Sequence, residues 1–141
     1  MKKRLLFCSI AGLLAGCQQE TDIQPTSASL ANEVAGTYRT NVYLDPSTVA
    51  TPSNQMPYAV LKPESDSSVI LTYITLYPAE ASQVIEHVLL SRQADGIQLR
   101  LSSTNIGSLQ TDRIFTNNGM EKQGQLLRLT GQNTLEFVGS K

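Results

Sequence analysis

The chain has 141 residues, a formal net charge of −1, 40% apolar and 16% charged residues, and no tryptophan. That balance excludes a nucleic-acid binder driven by a basic patch. It also excludes a bundle of membrane helices, because no apolar run reaches about 18 residues. One histidine and two cysteines leave no material for a protein-built zinc site or a disulfide framework.

Lys2, Lys3 and Arg4 precede an apolar run from Leu5 to Leu14, followed by Ala15 and Gly16. This is the layout of a secretory leader. Leu14-Ala15-Gly16-Cys17 resembles the lipobox of bacterial lipoproteins. The resemblance implies cleavage between Gly16 and Cys17, with lipid on the thiol and on the new amine of Cys17. Two or more acyl chains anchor a protein stably where one does not. Gln18 after the cysteine implies, by the same resemblance, the outer membrane. The leader spans residues 1–16 and carries three of the eleven basic residues and none of the twelve acidic ones. The remaining chain therefore holds eight basic against twelve acidic residues, a net charge of −4. It has no thiol for catalysis, metal or disulfide once Cys17 carries lipid.

Residues 17–33 are polar and contain Pro25, which predicts a flexible tether reaching roughly 20 Å. One helical turn is expected at Ser29–Val34. The folded domain is expected over 34–141. Val34 to Leu44 alternates as a strand. Residues 45–57 carry Pro46, Pro52 and Pro57 and read as a long loop. Met56–Lys62 and Val69–Tyr77 follow as strands, the latter rich in β-branched residues. Between Pro78 and Leu90, Ala81, Val84, Ile85, Val88 and Leu89 fit the spacing of an amphipathic helix. The Ala94-Asp95-Gly96 turn and the alternating Ile97-Leu99-Leu101 demand a partner strand instead, so a strand from about Gln83 is expected, with a helical turn at Ala79–Ser82. Gly107–Thr116, Met120–Thr130 and Thr134–Val138 complete the set, with Asn118-Gly119 as a hairpin turn. Eight strands joined by short turns predict an all-β antiparallel meander, closed or partly open as a barrel. A β-sandwich is the alternative.

Gly36-Thr37-Tyr38 at the first strand and Thr111-Asp112 before a late hairpin resemble the motifs of lipocalin-like barrels, with tyrosine in the place of tryptophan. The resemblance implies an eight-stranded barrel with a lid-like first loop over its open end.

The sequence shows little chemistry. His87 is the sole imidazole, and a catalytic triad would have to combine it with a serine and an acid such as Asp95 or Asp112. No serine lies in a Gly-x-Ser-x-Gly elbow, the carboxylates are scattered, and neither a calcium loop nor a phosphate loop appears. No metal, cofactor or enzymatic activity is expected. Arg100 and Arg128 lie in strands whose other face is apolar. Facing inward they would bind a carboxylate; facing outward they are solvated, which is the expected arrangement. Tyr38 is a candidate ligand contact within a barrel, with a place in the core or rim as the expected arrangement.

Two functions follow as expectations. The first is a non-catalytic, lipid-anchored envelope protein whose barrel binds a small apolar or amphipathic ligand. The second is a protein-interaction or inhibitor module that meets an envelope partner through the 45–57 loop, because long loops in compact domains are usually functional or disordered.

Overall fold

A computed structural model describes residues 28–131 and 135–141. The leader, the lipobox at Cys17 and most of the tether lie outside the described residues, as does most of the Gly131–Asn133 turn. A short helix α1 (Leu30–Val34) leads into eight strands: β1 (Gly36–Arg39), β2 (Tyr58–Pro63), β3 (Ser68–Thr75), β4 (Ala81–Gln93), β5 (Gly96–Leu101), β6 (Thr104–Phe115), β7 (Glu121–Thr130) and β8 (Glu136–Ser140). Each strand pairs antiparallel with the next, and β8 returns to β1, so the sheet is a closed meander barrel. Closure gives every strand a neighbour on each side, which removes free edge strands. Among the described residues no helix is long and apolar enough to cross a membrane.

Alternation along the strands builds the core. Ala59 and Leu61, Val69 and Leu71, Ile97 and Leu99, and Leu127 and Leu129 occupy every second position and are buried in one cluster with Tyr38 and Phe137. Each such leucine contributes about 1.5–3 kcal/mol by leaving water. Five residues of helix are marginal alone, so α1 is held by its contacts. Ala31 and Val34 are fully buried, Ala31 N–H donates to the Asp66 carbonyl at 3.2 Å, and Glu33 pairs with Arg92. The described fold therefore includes α1 from Leu30, ahead of the domain start expected at residue 34.

Two other expectations need correction. β1 stops at Arg39 rather than running to Leu44, because the Asn41 side-chain oxygen accepts the Tyr43 and Leu44 N–H groups at 3.0 and 3.1 Å and turns the chain out of the sheet. No helical turn forms at residues 79–82; β4 begins at Ala81 after a bend. Inside β4, the pairing with β3 shifts between Val69 and Leu71. Val69 faces Val88 and Leu71 faces Ile85, so Glu86 and His87 together oppose Ile70. His87 has a φ of 58°, the left-handed conformation of a bulge.

Candidate functional site

One level of the barrel interior is filled by its own side chains. Tyr38, Leu61, Val69, Leu71, Val88, Leu99, Leu127 and Leu129 retain 0–1% of their surface. A void large enough for water would leave exposed area on the side chains around it, and these have none. Eight strands allow either a packed interior or room for one small ligand; here the packed arrangement is realised at this level of the barrel. Tyr38 belongs to that packing. Its hydroxyl donates to the Val34 carbonyl at 2.7 Å and lies 3.2 Å from Gln125 Oε1, which ties β1 to the chain before it and to β7. Burial pushes its phenol well above the usual tyrosine range.

Arg100 and Arg128 are exposed. Arg100 Nη2 donates to the Ser103 carbonyl at 3.3 Å, and Arg128 sits between Ser108 and Val138 in the sheet register. Neither reaches into the core, so the barrel holds no internal arginine clamp at these positions. Leu99, Leu127 and Leu129 take the inward positions beside them.

His87 does have a carboxylate partner, but not Asp95 or Asp112. Its Nδ1 lies 2.7 Å from Glu64 Oε1, and Ser68 Oγ donates to Glu64 Oε2 at 3.1 Å. The acid thus sits between the serine and the imidazole. A nucleophile needs the imidazole in the middle, as base toward the hydroxyl, and this order does not supply it. Among the described residues no group of three or more His, Cys, Asp or Glu is placed to hold a metal.

A cleft with polar walls lies where the chain leaving β1 meets the β6–β7 hairpin. Its volume is about 520 Å³, within the roughly 300–1,000 Å³ of small-molecule sites. Arg39, Thr40 and Asn41 form one wall, Ser53, Met56 and Pro57 of the long loop a second, and Ile114–Asn118 with Lys122 a third. Two contacts fix the walls to one another. Asn41 Nδ2 donates to the Phe115 carbonyl at 2.8 Å, and the Tyr43 and Phe115 rings pack with centroids 5.9 Å apart. The loop is itself ordered. Asp45 Oδ1 accepts the Ser47 N–H at 3.0 Å, two 3₁₀ turns follow at Pro46–Ala50 and Ser53–Gln55, and Thr48 is buried. Val49 at its apex is 77% exposed.

The cleft is electrostatically one-sided. Arg39 and Lys122 line it and no aspartate or glutamate does. The Arg39 guanidinium carbon lies 5.1 Å from the Tyr58 ring centroid, a cation–π contact that restrains the side chain. Among the described residues, Thr40 Oγ1 is buried without a hydrogen-bond partner. Sequence reasoning singled out the loop but missed Arg39, Asn41 and Lys122. Each is an ordinary polar residue near a strand end, and only the approach of residues 115–122 to residues 39–41 makes them neighbours. No family of known proteins, no characterised protein and no solved structure matches this chain.

Proposed function

We propose that this chain is a non-catalytic, lipid-anchored protein of the bacterial cell envelope that recognises an envelope partner from its outer surface, through the 45–57 loop and the cleft beside it. The observation that carries this reading is the packed core: Leu61, Leu71, Leu99, Leu127 and Leu129 keep at most 1% of their surface, which favours recognition from the exterior. The ordered loop, with Val49 presented at its apex, supports it. The leader, the lipobox at Cys17 and Gln18 support an outer-membrane anchor, because two or more acyl chains hold a domain at a bilayer.

Two experiments test the two halves. Radiolabelled palmitate should enter the wild-type chain and fail to enter Cys17→Ser; equal labelling would remove the anchor. In-cell cross-linking from a probe at position 47, beside the exposed Val49, should yield a defined adduct that Val49→Asp abolishes. An adduct unchanged by that substitution, or by replacing residues 48–54 with glycine and serine, would remove the loop from recognition. A small apolar ligand bound to the purified chain and retained by a variant lacking the loop would return the site to the barrel interior.

A further inference from the structure

Arg39 and Lys122 face one cleft, and among the described residues neither has a carboxylate within 4.0 Å. Uncompensated cations in a concave, preformed site are places where an anion is bound more strongly than at an open surface. We propose that this cleft binds an acidic sugar, with the sugar carboxylate held between Arg39 and Lys122. The inference rests on the reading of this face as the recognition surface and adds a ligand class to it.

Three features favour an acidic sugar over a bare anion. First, hydroxyl and amide side chains outnumber the cations: Ser53, Asn117 and Ser140 line the same space, beside Thr116 and Asn118, which hydrogen-bond to each other. Such groups match a polyol and are surplus to a simple ion. Second, the walls include Met56 and Pro57. These offer apolar surface to the C–H face of a pyranose. Third, the longest helix among the described residues has five residues, so no long helix N-terminus of the kind that holds phosphate faces the cleft. Arg39 presents a planar fork suited to a carboxylate, and its seat over Tyr58 limits the ordering cost of using it. The Asn41–Phe115 bond holds the walls in place before ligand arrives. A cleft on a tethered envelope protein also leaves such a sugar free to be part of a larger glycan.

The test is calorimetric titration of the full chain, purified in detergent, with 3′-sialyllactose and a hyaluronan tetrasaccharide, against lactose and inorganic phosphate. At least one acidic saccharide should bind saturably at one site and at least tenfold more tightly than lactose or phosphate. Lys122→Glu and Arg39→Gln should each weaken it at least tenfold, while Arg128→Gln, an exposed arginine outside the cleft, should not. Arg39→Lys keeps the charge and loses the fork, so it should also weaken binding. Circular dichroism of each variant separates lost binding from lost fold. The proposal is overturned if neither acidic saccharide exceeds lactose, if phosphate binds equally well, or if folded Lys122→Glu binds unchanged. Val49→Asp lies outside the cleft lining and should leave the titration intact while abolishing the cross-link described above, so failure of the loop reading and failure of this one are distinguishable.

Discussion

Replacing Tyr38 with phenylalanine deletes one oxygen from the centre of the fold. The ring is fully buried and keeps its packing in the variant. The missing hydroxyl strands the Val34 carbonyl, from which it stood 2.7 Å, and leaves Gln125 Oε1 without its neighbour at 3.2 Å. A buried acceptor left without a donor costs about 1–3 kcal/mol. Gln125 is only half-buried and can turn toward water, so the carbonyl dominates and the expected loss is about 1.5–2 kcal/mol. For a domain near 100 residues that lowers the melting temperature by roughly 6–12 °C. Tyr38→Ala removes the ring as well and should cost about 3–5 kcal/mol. The assay is urea unfolding followed by far-ultraviolet circular dichroism, with the midpoint falling and the slope unchanged. A phenylalanine variant with a wild-type midpoint would show that the phenol carries no net share of the β1–β7 tie, and the account of the core built on it would be wrong.

Further outcomes follow from neighbouring residues. Thr40→Val replaces a buried hydroxyl that has no partner among the described residues by a methyl of similar shape, and should raise stability by about 1 kcal/mol; a lower urea midpoint would mean that the hydroxyl is satisfied in solution. Gly139→Ala places a methyl 2.4 Å from the Phe137 ring and 3.2 Å from the Arg39 backbone, so a loss of about 1–3 kcal/mol is expected from overpacking, read as a fall in melting temperature. Asn41→Ala removes the bond to Phe115 and both acceptor bonds in the turn, and amide exchange at Tyr43 and Leu44 should accelerate while exchange in β3 and β5 holds. Burial raises the Tyr38 phenol, and burial together with the Asp45 charge raises that of Tyr73. The unfolded chain therefore loses those protons first, near the ordinary value of 10.0. Above it the native state binds more protons than the unfolded one, so stability falls as pH rises from about 10. Tyr38→Phe should flatten that alkaline decline, and an identical pH profile for the two proteins would count against the burial argument.

The architecture was legible because most strands advertise themselves by simple alternation, as Ile97-Leu99-Leu101 does, with turn residues between them. β4 was the hard case, and its bulge explains why. Inserting Glu86 and His87 opposite a single residue moves the inward positions from Ile85 to Val88, a spacing of three. That is the spacing of a helix face, so a strand with one bulge imitates amphipathic periodicity. The short β1 was misread for a different reason. Val42 and Leu44 continue the alternation, but the Asn41 side chain diverts the backbone through two local hydrogen bonds that no periodicity reports. The arginines followed the alternation, since Arg100 and Arg128 stand opposite in phase to the leucines beside them. The cleft was illegible in principle. Arg39 and Lys122 are 83 positions apart in the chain, and nothing local to either signals that the hairpin carrying Lys122 lies beside β1.

The closed sheet is not equally sewn all round. β1 and β8 share one register pair, Arg39 with Ser140, whereas β6 and β7 are matched from Gly107–Leu129 to Phe115–Glu121. This seam also joins the two ends of the barrel sequence, so its closure carries the largest loop-entropy cost of any pairing in the fold. Opening there frees two strand edges while the other seven seams stay paired, which makes it the lowest-energy excursion of the native state. Arg39 stands on this seam and also lines the cleft. Breathing of the barrel and occupancy of the cleft are therefore coupled, and a ligand held by Arg39 would act as a clasp on the protein's weakest join.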